Sequence, residues 1–239
     1  MNRGLFITGT DTGVGKTIVT AAIAAVLRER RANVGVMKPV ATGCVHRREG
    51  LVSEDGELLA QAADAPGPLD EITPIRFAAP LAPTVAAARA GTPIDLDLIW
   101  RAWRRLRARH DVMLVEGIGG ILCPVTPDRF VADLAKEFGL PLLIIARPNL
   151  GTINHAALTV EAARARRLRI AGIVISRYHA DSTDMAEFTN PDEIARVTGV
   201  PVVGLVPDDP QTSPAGGIIG EDVLAAVRLM DIDKAIGDR

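Results

Sequence analysis

Short apolar runs alternate with longer amphipathic segments along the chain. The apolar runs predict six strands, at 4–8, 33–37, 112–116, 141–146, 170–175 and 201–206. Each run is almost continuously apolar, which is typical of strands buried on both faces. The segments between them predict seven helices, at about 15–31, 55–63, 94–109, 129–138, 152–167, 182–198 and 221–229. The pattern therefore predicts an α/β fold, with a mostly parallel central sheet flanked by helices.

The stretch from Pro66 to Pro83 contains five prolines and is predicted to be an irregular connection between helices rather than a linker between domains. A length of 239 residues suits one large domain with a well-buried core. We therefore expect a single domain over residues 1–239.

Charge and cysteine content narrow the classes of partner. A net charge of -2, from 27 basic and 29 acidic residues, gives no field that would attract nucleic acid or an anionic membrane. Cys44 and Cys123 have no metal-binding or redox spacing, and the N-terminus shows no secretory signal. Together these features predict a cytoplasmic protein that acts on small ligands.

The segment GTDTGVGKT at 9–17 follows a predicted strand and precedes a predicted helix. Apart from one additional residue it matches the phosphate-binding pattern GxxxxGK[ST], since the first glycine is Gly9 rather than position 10. In that pattern backbone N–H groups surround the anion, the lysine, here Lys16, meets the outer phosphates, and the hydroxyl of Thr17 holds Mg²⁺. A glycine-rich turn that binds nothing is the alternative.

Lysine is rare in this chain, with four lysines against 23 arginines. Lys16 and Lys38 nevertheless both follow early strands. Because an ammonium group is a compact point charge suited to phosphate oxygens, both lysines are candidates for the site. For Lys38 a solvated loop position is the alternative.

The segment VEGIGG at 115–120 places Glu116 at the carboxyl end of a buried strand, where α/β sheets bind ligands. Mg²⁺ takes few protein ligands, so Thr17 with Glu116 and Asp55 would be a sufficient set. For Asp55 the alternative is a role at a helix N-terminus, because SEDGE at 53–57 is also typical of a capped first turn. The glycines after Glu116 favour a close approach to ligand, with a plain turn as the alternative.

Four motifs in order, GTDTGVGKT, MKPVATG at 37–43, VEGIGG and NLGTINH at 149–155, resemble the dethiobiotin synthetase family. The resemblance implies a P-loop NTPase-type three-layer sandwich and an ATP-dependent ligase of biotin synthesis. Such an enzyme joins CO₂ to 7,8-diaminononanoate through a carbamic-phosphoric anhydride and closes a cyclic urea. It also implies Mg²⁺ as cofactor and ATP as co-substrate.

The resemblance further assigns roles by position. Lys38 and Lys16 would be catalytic, and Thr17, Asp55 and Glu116 would hold Mg²⁺. The nucleotide would meet Thr12, Gly13, Val14, Gly15, Lys16, Thr17, Ile18, Asp55, Glu116, Gly117, Ile118, Gly119, Ser176 and Pro207. The substrate would meet Thr42 and, across a homodimer interface, Gly151, Thr152, Ile153 and Asn154. Simple N-capping by Thr152 or Asn154 is the alternative for that last group.

One position departs from the family. The asparagine that contacts adenine in the family is replaced by Ser176, followed by Arg177. Serine lacks the paired donor and acceptor of an amide. We therefore expect weaker discrimination between ATP and other nucleotides, with base contacts moved towards Pro207.

A second function class is a nucleotide-switched ATPase of the ParA/MinD type. Those proteins usually carry a lysine five residues before the loop lysine, where this chain has Asp11. The arginine-rich segment 98–110 would suit nucleic acid in such a protein. Its apolar residues recur at three to four residue spacing, which favours a packed face and a solvated arginine face.

Overall fold

The computed structural model describes residues 3–48, 50–65, 67–179 and 181–237. The strands in chain order are β1 (Gly4–Gly9), β2 (Val34–Met37), β3 (Val40–Thr42), β4 (Val45–Arg47), β5 (Gly50–Val52), β6 (Ile75–Phe77), β7 (Val112–Gly120), β8 (Pro124–Thr126), β9 (Arg129–Phe130), β10 (Leu142–Ala146), β11 (Ile170–Tyr178) and β12 (Val202–Pro207). The helices are α1 (Lys16–Glu29), α2 (Glu54–Ala63), α3 (Leu69–Ile72), α4 (Pro83–Ala90), α5 (Leu96–Arg109), α6 (Val131–Phe138), α7 (Thr152–Ala165), α8 (Met185–Thr198), α9 (Glu221–Arg228) and α10 (Ile232–Ile236).

Six strands form the central sheet, in the order β12-β11-β10-β1-β7-β2, and every neighbouring pair is parallel. These are the six strands that the apolar runs predict, and the predicted α/β sandwich is confirmed. β1 lies inside the sheet between β10 and β7. The loop after β1 therefore opens at the carboxyl edge, where α/β proteins bind ligands.

Alternate residues of β1 divide the core into two faces. Leu5 and Ile7 pack with α1, α2 and α9, whereas Phe6 packs on the opposite face with α5 and α6. There Phe6 lies 5.7 Å from Phe138, ring centre to centre, and Phe138 meets Trp103 edge-on at 4.9 Å. Helices thus cover both faces, which explains why the strands carry apolar residues without alternation.

The predicted bounds of two strands were too short. β7 continues beyond Glu116 through the glycines to Gly120, so these residues are not the plain turn considered above. β11 likewise continues to Tyr178. The proline-rich connection is also more regular than expected, because it holds α3 and β6; Pro66 lies outside the described residues.

The arginine-rich segment forms α5 with one packed face, as the spacing predicts. Ile99, Trp103 and Leu106 are buried, while Arg105 and Arg109 pair with Glu71 on α3. The arginines therefore lie on the face away from the core. Across the described residues, no helix combines the length and the apolar character that crossing a bilayer would need.

Candidate active site

The register of two strands brings Lys38 and Glu116 together. β2 pairs with β7 so that Met37 lies opposite Val115. Lys38 directly follows Met37, and Glu116 directly follows Val115. Lys38 Nζ donates a hydrogen bond to Glu116 Oε1 at 2.7 Å. Both side chains are buried, Glu116 completely. A lysine and a glutamate far apart in sequence therefore form one ion pair at the carboxyl edge of the sheet.

The loop between β1 and α1 has the open backbone that anion binding needs. Gly13 and Gly15 have φ values of 69° and 94°, in the left-handed region that favours glycine. Gly15 is the N-cap of α1, and within the described parts of the chain no side chain caps the first N–H groups of that helix. These donors, together with the positive end of the helix dipole, form a site for phosphate.

Two cationic side chains hold the loop at successive carbonyl groups. Lys16 Nζ donates to the carbonyl oxygen of Asp11 at 2.8 Å, and Arg147 Nη2 donates to that of Thr12 at 2.7 Å. Arg147 directly follows β10, the strand beside β1. The longer loop is therefore tied both to its own helix and to the neighbouring strand.

Four side chains form a continuous polar row beside this loop. Asp55 pairs with Lys38, Lys38 pairs with Glu116, and Thr17 Oγ1 donates to Glu116 Oε1 at 2.9 Å. Asp55 does not cap its helix, because Ser53 Oγ accepts the hydrogen bond from Gly56 N at 3.1 Å. The carboxylate of Asp55 is thus available to the site.

Burial and neighbouring charges shift the pKa values of the two lysines in opposite directions. For Lys38, burial disfavours the charged form, but attraction by Glu116 and Asp55 outweighs it and raises the pKa. For Lys16, burial dominates over the attraction of Glu116 and lowers the pKa. Lys38 is therefore held in its charged form, whereas an anionic ligand beside Lys16 would offset the burial that lowers its pKa.

The oxygen atoms of this row suit a hard divalent cation. Glu116 Oε2 is buried and has no hydrogen-bond partner among the described residues. A buried carboxylate oxygen without a partner is costly, and a cation would satisfy it. Carboxylate and hydroxyl oxygens are ligands that Mg²⁺ accepts, with water and phosphate filling its remaining positions. Thr17, Asp55 and Glu116 therefore fit the ion predicted for them.

A cavity of about 270 Å³ adjoins these groups. The predicted site residues that line it are Thr12, Gly13, Gly15, Lys16, Thr17, Ile18, Lys38, Thr42, Asp55, Glu116, Ile118 and Gly119. Residues from four separate segments thus meet in one place. Phosphate-binding, metal-binding and substrate-binding candidates share this space.

A smaller pocket of about 120 Å³ adjoins the cavity and is lined by Ser176 and Pro207. Gly15 lies so close to Ser176 that a Cβ atom there would collide with Ser176 Oγ. Ser176 therefore stands directly beside the end of the phosphate loop. The two pockets share Gly15, Ile18, Arg177 and Pro214, so the phosphate loop and Ser176 belong to one continuous site.

Six predicted site residues do not line either pocket. The side chain of Val14 packs in the core, and a Cβ at Gly117 would face Phe6 and Val131. The remaining four, Gly151, Thr152, Ile153 and Asn154, belong to the start of α7, which lies apart from the cavity of its own chain. Gly151 is the N-cap there and no side-chain cap is formed, so the simple capping considered for Thr152 or Asn154 is wrong.

Three residues of the site have no place in the motifs. Arg147 ties the loop, and Arg177 and Pro214 line the cavity. Arg147 and Arg177 lie at or just after the carboxyl end of a strand, at the edge of the sheet that binds ligands. This position is the feature of the sequence that could have identified them as site residues. With 23 arginines in the chain, residue type alone could not.

Residues 3–215 match a protein family described as an AAA domain. Named relatives are also similar over most of the chain. An ATP-dependent dethiobiotin synthetase BioD of Thermodesulfovibrio yellowstonii is 41% identical over 87% of this chain and 89% of its own. The protein of the same name from Anaeromyxobacter sp. (strain K) is 43% identical over 95% of this chain and 100% of its own.

Solved structures of other proteins share the fold of this chain at low sequence identity. The MinD cell division protein of Aquifex aeolicus superposes with a TM-score of 0.60 at 16% identity, covering 95% of this chain and 94% of its own. A ParA family ATPase of Chlorobium tepidum TLS gives 0.56 at 16% identity, covering 97% and 93%. At such low identity these likenesses establish the shared P-loop fold alone. The sequence relatives are far closer, and the chain belongs to the family of ATP-dependent dethiobiotin synthetases, which are ligases that form C–N bonds.

Proposed function

We propose that the chain is a dethiobiotin synthetase that joins CO₂ to the two adjacent amines of 7,8-diaminononanoate. The products would be dethiobiotin, ADP and phosphate, in the synthesis of biotin. The observation that carries the proposal is the position of Lys38, which is fixed between Asp55 and Glu116 in the cavity that the phosphate loop also lines. A cation there would face both the outer phosphates and an anion that attacks them.

Phosphoryl transfer would come first. A carbamate, formed from one amine and CO₂, would attack the γ-phosphorus through oxygen, and the bond to ADP would break. Both reactants are anions, so positive charge must lie between them. Lys16 and Lys38 supply it, and because the pKa of Lys38 is raised, this residue acts as a fixed cation rather than as a base.

Ring closure would follow from the second amine. Its nitrogen would attack the carbonyl carbon of the carbamic-phosphoric anhydride, the C–O bond would break, phosphate would leave, and the amine would lose a proton to solvent. Thr42 lines the cavity and would orient the amines or the carbamate. No protein nucleophile is needed; Cys44 is buried, and burial raises the pKa of its thiol, which disfavours the reactive thiolate.

Thr17, Asp55 and Glu116 would hold Mg²⁺ at the phosphates. The ion would supply positive charge in addition to that of Lys16 and Lys38. The buried, unpartnered Oε2 of Glu116 supports this assignment. The role of these residues is to keep hard oxygen ligands beside the phosphate loop.

A homodimer would complete the substrate site. At the start of α7 the Thr152 N–H donates to the Asn149 carbonyl, while those of Ile153 and Asn154 have no partner among the described residues and suit a carboxylate; these residues do not line the cavity of their own chain. Leu150 and Leu158 on this segment, with Met185 and Phe188 on α8, are large apolar residues exposed to solvent. Such exposure supports burial against a second copy. The α7 residues of one copy would then bind substrate held in the other.

The dimer proposal has a direct test. Chains carrying Lys38→Met and chains carrying Asn154→Asp are each expected to be poorly active, the second because its carboxylate repels that of the substrate. A mixture reassociated from both should regain activity, since one of the two shared sites is then intact. A mixture as inactive as its components, although it elutes as a dimer, would contradict a shared site.

We propose three further properties of the protein: its domain organisation, its location and its nucleotide selectivity. The central sheet takes strands from Gly4 to Pro207, which supports a single P-loop synthetase domain over residues 1–239. The two free cysteines support a cytoplasmic location. Ser176 in the smaller pocket supports weak discrimination between ATP and other nucleotides, because a hydroxyl cannot make the two base contacts of an amide.

The activity test uses 7,8-diaminononanoate, ¹³C-bicarbonate, Mg²⁺ and ATP. Mass spectrometry should detect the cyclic urea with one added ¹³C, and phosphate release should depend on the diamine. ATP hydrolysis that ignores the diamine and is stimulated by DNA would instead establish the switched ATPase class. CTP and GTP in place of ATP should give rates within about tenfold, the size of one lost base contact.

A further inference from the structure

Arg177 has a backbone conformation that residues other than glycine rarely adopt. Its φ is 60°, within strand β11. Among the described residues, the other non-glycine residues with positive φ are Arg31, Asp64 and Arg167. Each of those follows the last turn of a helix, where a left-handed residue is common. Arg177 has no such explanation, and strain of this kind concentrates at functional sites.

The conformation coincides with a bulge in the sheet. β11 pairs with β12 so that Ser176 lies opposite Val206 and Tyr178 lies opposite Pro207, leaving Arg177 as an additional residue. A bulge interrupts the alternation of a strand and redirects one side chain. Here the additional residue, Arg177, lines both the cavity at the phosphate loop and the smaller pocket beside it.

Arg177 marks the boundary between the two pockets. The residues common to both linings are Gly15, Ile18, Arg177 and Pro214, and the arginine alone among them is charged. Asp208 and Asp209 line the smaller pocket, yet the guanidinium group forms no ion pair or hydrogen bond within the described part of the chain. A cationic residue without a partner in the described part of the chain therefore lies at the boundary between the two pockets.

We propose that Arg177 binds the α-phosphate of the nucleotide and contributes affinity that does not depend on the base. With the outer phosphates on the phosphate loop and the base near Ser176, the α-phosphate and ribose would cross the boundary that Arg177 lines. A guanidinium group donates in a planar fork that matches phosphate oxygens. The inference rests on the nucleotide use in the proposed function, but not on the diamine or on ring closure.

The test measures nucleotide binding by calorimetry in the absence of diamine. Arg177→Gly should weaken ATP, CTP and GTP alike, each by about tenfold, the loss expected for one charge-assisted hydrogen bond. Adenosine, which has no phosphate, should bind both proteins equally. Arg177→Lys keeps the charge and should recover part of the loss.

Arg167→Gly is the matched control, because it also removes a left-handed arginine, at the end of α7 and outside both pockets. Glycine relieves backbone strain at either position, so both variants should melt at or above the temperature of the parent protein. Only Arg177→Gly should lose affinity. Affinities within twofold of the parent, a loss confined to one base, or an equal loss for adenosine would each overturn the inference. A parent protein that binds no nucleotide would overturn the proposed function instead.

Discussion

Lys38 Nζ and Glu116 Oε1 lie 2.7 Å apart, one residue beyond a paired position of two neighbouring strands. Because both side chains are buried, the loss of Lys38 leaves Glu116 as a buried charge without its ion-pair partner, at a cost of about 3–5 kcal/mol, whereas Lys38 would keep Asp55 as a partner after the loss of Glu116. The pair therefore supports the fold as well as the charge of the site. Any test of Lys38 must separate these two contributions.

We predict that Lys38→Met lowers turnover by at least about a hundredfold, the usual effect of removing one preorganised cation or donor. Affinity for ATP should change much less, because Lys16 and the loop remain. Steady-state kinetics and calorimetry measure the two quantities. The double variant Lys38→Met/Glu116→Gln should recover stability in urea without recovering turnover. Lys136→Met, on the exposed side of α6, is the control, and a turnover loss no larger than the unfolded fraction would contradict the prediction.

The lowered pKa of Lys16 predicts that the affinity for ATP depends on pH. Burial lowers the pKa of Lys16 in the free protein, so its ammonium loses a proton below the ordinary value of 10.5. Bound phosphates favour the charged form and raise the pKa again. Between these two values ATP binding must take up a proton, and the affinity for ATP must fall as the pH rises.

The uptake can be measured by calorimetry at alkaline pH in two buffers of different ionisation enthalpy. We expect a net uptake of protons, and Lys16→Met should abolish it together with most of the affinity. Lys38→Met should retain part of the uptake, because burial, the largest cause of the lowered pKa of Lys16, remains, while the smaller contribution from repulsion by Lys38 is lost. Equal apparent enthalpies in both buffers would contradict the assignment.

Much of the fold was predictable because its signals are local. Strands buried on both faces must be apolar throughout, and the phosphate loop needs its glycines and lysine in one short segment. The sequence also placed Lys38 and Glu116 at strand ends. Their contact, however, depends on β2 being the neighbour of β7, and the order of strands has no local signature.

The features that sequence patterns missed depend on tertiary pairing. The bulge at Arg177 exists only against β12, and the tie from Arg147 to Thr12 exists only because β10 borders β1. Short elements such as β3 carry too few residues for a periodic pattern. α4 had a usable signal, a proline at its first position before an alanine-rich run, which the proline-rich context obscured.

Gly15 and Ser176 provide a prediction about packing within the nucleotide site. Gly15→Ala should lower the free energy of unfolding for two reasons, a left-handed φ and a collision of the new Cβ with Ser176 Oγ. Gly139→Ala shares only the first, since Gly139 is a left-handed helix cap with open space around it. That control should cost about 1–2 kcal/mol.

Ser176→Ala should restore part of the stability of Gly15→Ala, because the nearest remaining atom, Cβ, is 3.1 Å from the added methyl. Urea unfolding of the four proteins of this cycle measures the coupling. Ser176→Ala should not rescue Gly139→Ala. A coupling of zero between positions 15 and 176 would show that the loop moves aside instead of colliding.

A comparison of Thr17 with Thr20 distinguishes a role in metal binding from a role in the stability of α1. Its hydroxyl lines the cavity and donates to Glu116, whereas the hydroxyl of Thr20, one turn later, is buried and donates to the Lys16 carbonyl. Thr17→Ala should raise the Mg²⁺ concentration for half-maximal activity by about tenfold, as expected for one lost ligand, and Thr17→Ser should not. Thr20→Ala should lose about 1 kcal/mol of stability with the Mg²⁺ requirement unchanged.

Initial rates over a Mg²⁺ titration at saturating ATP give the comparison. Equal Mg²⁺ requirements for Thr17→Ala and Thr20→Ala would remove Thr17 from the metal site and leave it as a hydrogen-bond donor to Glu116.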